Sequence, residues 1–170
     1  MAAHPHRGAV APVPAAVARA PVRHALAQPV GLLVLRGFAG GFLLPHGLGK
    51  LFGWFGGPGL AGFAQELQGF GLLYAAPAPL LLALAQTAAG ACVAFGLWTR
   101  RAALVAAAFL AVTVLLNLGG GWFWMHGGVE YPLLWTGALL AVALLGPGAW
   151  SLDAWRGARH CHEVGYGLFD

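Results

Sequence analysis

Four apolar runs, parted by short stretches of glycine, aromatic residues or arginine, organise this chain. They cover about residues 30–52, 77–98, 102–118 and 131–146. The longer runs can cross a hydrocarbon layer of roughly 30 Å at about 1.5 Å per helical residue. The first is the least apolar: it holds Arg36, His46 and Lys50, with Pro45 and several glycines. A helix carrying that load would pack inside a bundle, its glycines letting neighbours approach closely. Between the first two runs, Gly56-Gly57-Pro58-Gly59 breaks the helix, and residues 60–68 have an amphipathic pattern suited to a short interfacial helix. The second run begins at Pro77 and Pro79, where a missing N–H costs nothing. The fourth closes at Gly146-Pro147-Gly148.

Composition turns these runs into membrane spans. Hydrophobic residues make up 59% of the chain and charged residues 8%, against roughly 25% charged in soluble domains. So few charges cannot build a water-facing surface. The net charge is +4, yet the arginines are scattered between apolar runs, so they read as topology signals and not as a nucleic-acid patch. Arg7, Arg19, Arg23, Arg100, Arg101, Arg156 and Arg159 fall on the tails and on the loop between runs two and three; the other two loops have no Lys or Arg. The expectation is an all-α polytopic membrane four-helix bundle, N-in and C-in. Residues 1–29 form a flexible cytoplasmic tail, whose five prolines argue against a long helix and which lacks the apolar core of a secretory signal. Residues 30–148 form the membrane domain and 149–170 a second cytoplasmic tail.

Counting depth from the middle of each run sets the polar residues in place. His46 falls roughly 7 Å outward of the midplane and Arg36 roughly 7 Å inward, with Lys50 near the outer surface. Gln86 is slightly outward of centre, Asn117 in the outer third, and Glu130 at the outer start of run four. His46 and Lys50, four apart, share a helix face, and Arg36 lies within roughly 40° of it. Arg36, His46, Lys50, Gln86, Asn117 and Glu130 are therefore the candidate ligand-binding set, with Pro45 and Asp153 in structural roles. Each has a bland account: Lys50 snorkels outward, Glu130 caps a helix, His46 meets a carbonyl freed at Pro45, Arg36 snorkels inward or pairs with Asp153, and Gln86 and Asn117 link helices. A gating pair of Lys50 with Glu130, shielded by Trp122-Phe123-Trp124, would close the outer mouth; those aromatics otherwise anchor the interface or stack on a flat ring.

Other chemistries lack their residues. There is no CxxC, phosphate loop or HExxH. Only His46 lies in a run, so bis-histidine haem has no ligand pair. Cys92 and Cys161 read as free thiols, and His160-Cys161-His162 is weak as a metal site. No metal and no covalently bound cofactor is expected.

Taken together, several short motifs resemble the DoxX family of four-helix membrane proteins: Leu35-Arg36; His46-Gly47 with Lys50-Leu51; Gly53-Trp54-Phe55-Gly56-Gly57; Gly96-Leu97-Trp98-Thr99-Arg100; Gly127 through Leu134; and Gly146-Pro147-Gly148 leading to Ser151-Leu152-Asp153. The likeness spans about residues 32–153. The family usually carries a Glu in span two where this chain has Gln86. The resemblance implies a multi-pass protein of the cell inner membrane, associated with redox chemistry: a quinone as candidate ligand, other membrane or peripheral redox subunits as partners, and no nucleic acid. Any enzymatic role would be as an oxidoreductase subunit. The alternative is a non-catalytic accessory or anchoring subunit. A small-molecule permease ranks below both, since four helices would serve it only as a homo-oligomer and no inverted repeat is visible.

Overall fold

The structure is a computed structural model that describes residues 22–166, with side chains over 26–159. Every regular element among the described residues is helical. Besides three single-turn 3-10 helices, the α-helices in chain order are α1 (Val22–Gly41), α2 (Leu43–Phe52), α3 (Gly59–Gly69), α4 (Ala78–Phe95), α5 (Thr99–Leu116), α6 (Glu130–Leu145) and α7 (Leu152–Tyr166). Three helices are long and apolar enough to cross a membrane: Leu26–Phe52, which joins α1 and α2, then α4 and α5. The shorter α6 is also apolar. The α1–α2 rod, α4, α5 and α6 pack as a closed ring, each against the next and α6 back on α1.

Small residues hold the ring together. The core comprises Ala39, Leu43, Ala89, Val93, Ala103, Ala106, Ala107, Leu110, Leu139, Val142 and Ala143. A Cβ added at Gly40 would lie 2.7 Å from the Gly90 carbonyl oxygen and 2.8 Å from Val93 Cβ, and one at Gly90 would meet Leu43 Cβ at 2.8 Å. Further along the same seam Gly47 abuts Thr87. These contacts fix the antiparallel register of the first rod on α4: Gly40 faces the Gly90–Ala94 turn and Gly47 faces Thr87. Backbones this close gain dispersion contacts that larger residues would prevent.

Two sequence expectations are corrected. The first helix begins at Val22, ahead of residue 30, and carries Pro29 within it. A single proline removes one N–H and frees one carbonyl, which a helix near its start absorbs; it does not bar the helix. Residues 1–21 of the anticipated N-terminal tail lie outside the described residues. The segment from 149 onward is not plain tail, because residues Leu152–Tyr166 form α7. Its side chains from 160 on, including Cys161 and the His160-Cys161-His162 motif, lie outside the described residues. The short helix anticipated at 60–68 is α3, whose Phe63 and Leu67 bury against Ala83 of α4.

The break between α1 and α2 falls at Phe42, whose N–H still reaches the Phe38 carbonyl at 3.2 Å. Pro45 explains the position. It lies in the first turn of α2, has no N–H for the carbonyl of Gly41, and its ring presses on that carbonyl. The axis therefore yields just before it.

A latched end and a hollow end

At one end of the bundle lie the α4–α5 corner and the α6–α7 connection. The corner takes only Gly96, Leu97 and Trp98. Gly96 at φ 72° lets the amide of Leu97 bond the Cys92 carbonyl (2.8 Å) and its own amide bond that of Val93 (3.2 Å), the Schellman closure of a helix. Trp98 also has a left-handed backbone (φ 45°). Asp153, from the first turn of α7, completes the corner: one carboxylate oxygen accepts from the Trp98 amide at 2.8 Å, and the other from the Thr99 amide at 2.9 Å and hydroxyl at 2.8 Å. In return the Asp153 amide donates to the Gly96 carbonyl at 2.9 Å. A carboxylate on the first amides of α5 also complements that helix's dipole. Burial pushes the Asp153 carboxyl up, but the Thr99 and Trp98 bonds and the nearby positive charge of Arg156 more than offset this, so it stays below the ordinary carboxylate value. The folded state thus favours the ionised form, and the stabilisation present at neutral pH fades as pH falls through and below about 4. The thermal midpoint of the wild type should drop over that range in a pH series, and Asp153→Asn should start lower at pH 7 and flatten the profile.

Arg36 is the centre of this end. It is 2% exposed. Its Nε donates to the Ala94 carbonyl at 3.2 Å, and its two terminal nitrogens donate to the carbonyls of Pro147 and Trp150. One guanidinium thus ties α1 to the last turn of α4 and to the chain leaving α6. The Ala94 carbonyl is among those that a helix end leaves unpaired, and the Pro147 and Trp150 carbonyls belong to the connection between α6 and α7. It does not bond Asp153, whose two oxygens serve the α5 amides. Arg100 acts similarly, donating to the Ala143 carbonyl of α6 at 3.3 Å. Arg36 is thereby parted from His46 and Lys50. Lys50 lies roughly 21 Å further along the rod at about 1.5 Å per residue.

At the other end the bundle is hollow. Two cavities meet there, of about 820 Å³ and about 560 Å³. Lys50, Gln86, Phe109, Thr113 and Asn117 line both. Lys50 does not snorkel to the surface. A helical side chain leans toward the N-terminus of its helix, and here that sends the ammonium into the bundle, where it donates to Gln86 Oε1 at 3.0 Å. It lies 4.4 Å from the centre of the Phe63 ring and 5.0 Å from that of Phe109, positions where an aromatic face attracts a cation. Asn117 turns its amide back to the Thr113 carbonyl at 2.8 Å.

The smaller cavity is aromatic. His46 meets Trp135 edge to face with ring centres 5.3 Å apart, and Trp135 meets Tyr131 at 6.1 Å. Trp135 is fixed by its indole N–H, which donates to the Ala39 carbonyl at 2.8 Å. Trp124 closes the wall from the α5–α6 loop. That loop is itself folded, with the amides of Val129 and Glu130 donating to the carbonyls of Gly121 and Trp122, each at 3.0 Å.

Of the six candidate ligand-binding residues, the structure brings His46, Lys50, Gln86 and Asn117 to one cavity and leaves Arg36 and Glu130 outside it. The anticipated pair of Lys50 with Glu130 does not form: Lys50 takes Gln86, and the Glu130 carboxylate faces the Trp124 amide at 3.5 Å. Sequence reasoning missed Phe63, Phe109, Trp135 and Glu66. Glu66 lines the larger cavity from α3. Its signal was present, since Phe63, Glu66, Leu67 and Phe70 recur at helical spacing on one face.

An all-helical ring with three spans long and apolar enough for a bilayer, latched at one end and hollow at the other, defines a multi-pass membrane protein. Residues 31–127 match the DoxX family, more than half of the chain, and the chain belongs to that family. No curated protein and no solved structure matches it. The motifs that carry the likeness divide between the two ends. Leu35-Arg36, Gly96 to Arg100 and Gly146 to Asp153 build the latch, whereas His46 to Leu51 and Gly127 to Leu134 border the cavities.

Proposed function

We propose that this protein is a four-span, N-in/C-in protein of the inner membrane that binds a quinone-type ring in its aromatic cavity and serves as a redox-associated membrane subunit. The observation that carries the reading is the Lys50 ammonium, inside the bundle, at the edge of a cavity walled by His46, Tyr131 and Trp135. A flat ring gains from stacking on such walls. Its oxygens accept hydrogen bonds, and an ammonium has three N–H donors of which Gln86 takes one. A quinone, when bound, supplies reversible transfer of two electrons and two protons. The contribution of the chain is to orient: Lys50 fixes one oxygen, the aromatic walls fix the ring plane, and His46 faces the same space with ring nitrogens able to donate or accept a hydrogen bond.

The membrane placement rests on the basic residues. Arg100, Arg101, Arg156 and Arg159 all belong to the latched end, and the loops at the hollow end have no Lys or Arg. By the positive-inside rule the latched end faces the cytoplasm. With α6 as the fourth span, reporters at residues 62 and 127 should lie outside and reporters at either terminus inside; a cytoplasmic signal at 62 would sink this topology. The ligand is tested by titrating decylubiquinone into the purified protein by calorimetry. Saturable binding should weaken by about tenfold or more in Lys50→Met, the loss of a charged hydrogen bond of roughly 1.5–3 kcal/mol. No saturable heat from the wild type would end the quinone reading.

A further inference from the structure

The larger cavity differs from the aromatic one in its walls and its rim, and both bear on what it holds. Its walls are aliphatic as well as aromatic: α4 and α5 form one side and α3, with the turn after it, the other. Its volume of about 820 Å³ lies within the span of roughly 300–1,000 Å³ common for small-molecule sites. Its rim is apolar and exposed, with Phe70, Leu73, Val105 and Val112 each about half exposed or more. In a membrane protein such a rim meets lipid, so the way in is sideways from the bilayer and not from water.

The polar residues inside this cavity include one of each charge. Lys50 enters from α2, half-buried and flanked by the Phe63 and Phe109 rings, and Glu66, exposed on α3, lines the rim of the same cavity. The two residues come from different elements and face the same apolar volume. Their charges cancel to first order. A fatty carboxylate placed there would meet Glu66, and an alkylammonium would meet Lys50, and each like-charge juxtaposition is unfavourable. A head group with no net charge and with both hydroxyl and carbonyl functions satisfies both, accepting from Lys50 and donating to Glu66. An apolar chain then lies along the α4–α5 wall.

We infer that the larger cavity is a binding site for a single-chain amphipath of no net charge, entered from the lipid, with its polar head held between Lys50 and Glu66. It shares Lys50 with the ring site proposed above but does not need the ligand there to be a quinone. The discrimination comes from Glu66 as much as from Lys50, because without the acid the site would select anions.

The test uses the full chain in neutral detergent and displacement of a fluorescent acyl probe by three ligands of one chain length: monopalmitoylglycerol, palmitate and hexadecylammonium. The wild type should prefer monopalmitoylglycerol by at least about tenfold over either ion. Glu66→Gln should tighten palmitate by about tenfold, and Lys50→Gln should do the same for hexadecylammonium. Glu66→Asp and Lys50→Arg, which keep each charge, should retain the wild-type order. If Lys50→Gln fails to fold, the surface-exposed Glu66→Gln decides alone. Equal binding of the three ligands by the wild type would overturn the inference, as would a ranking unchanged by Glu66→Gln. A correct charge ranking without binding of decylubiquinone would uphold this site and remove only the quinone reading.

Discussion

Replacing Arg36 with leucine should cost the protein its folded bundle more surely than any change in the cavities. The guanidinium is buried and serves three carbonyls on two other segments. Leucine would leave those carbonyls without a donor, at about 1–3 kcal/mol for each that water cannot reach. Even toward the low end of that range, the three carbonyls together cost about 3–5 kcal/mol, a large part of a typical folding free energy. It should lower the thermal midpoint in detergent by roughly 10 °C, at about 2–4 °C per kcal/mol for a chain of this size. Arg36→Lys should recover only part of the loss, since a single ammonium lacks the planar fork that reaches three acceptors at once. The decisive comparison is the melting curve of the three proteins. If Arg36→Leu melts with the wild type, the latch contributes nothing and Arg36 returns to the list of candidate ligand-binding residues.

The second large effect is expected at the seam between the first rod and α4. Gly40→Leu forces a side chain against the Gly90 carbonyl oxygen and Val93 Cβ, which a Cβ alone would approach to 2.7 and 2.8 Å. The carbonyl belongs to backbone and cannot swing away, so the helices must part. Overpacking of this kind costs about 1–3 kcal/mol and sometimes more, and parting these helices also shifts the Ala94 carbonyl away from Arg36. The control is Gly37→Leu, one turn earlier on the same helix, where a Cβ meets nothing within 4 Å. Gly40→Leu should lose at least half its monodisperse yield in size-exclusion chromatography while Gly37→Leu keeps it. Equal yields would show that the seam is not a close contact.

These two residues also mark what the linear pattern could and could not reveal. Apolar runs and their glycine-proline ends located α4, α5 and α6 to within a few residues, because length and apolarity are properties of each segment alone. The amphipathic stretch at 60–68 was equally readable as α3. Arg36 was visible as an anomaly in an apolar run, but its partners were not, since they are backbone carbonyls with no side-chain signature. The depth count failed for Lys50 for a different reason. It assumed that each span is centred on one plane, whereas the register is set by Gly40 on Gly90 and Gly47 on Thr87. That register brings the end of α2 level with the middle of α4, where Gln86 waits. Pro29 hid the true start of α1, and α7 escaped notice because its pattern is polar and short.

The unequal lengths of the helices say something about the membrane that suits them. The rod from Leu26 to Phe52 measures roughly 40 Å at about 1.5 Å per residue, whereas α4 and α5 measure roughly 27 Å and α6 roughly 24 Å. Because Arg36 is pinned level with the ends of α4 and α6, the excess of the rod projects past the latched end. With α6 as the proposed fourth span, the three shorter helices match a hydrocarbon layer below the bilayer average of roughly 30 Å. Such a bundle favours thin bilayers, and it draws the surrounding lipid inward where the layer is thicker, at a fraction of a kcal/mol per Å of mismatch.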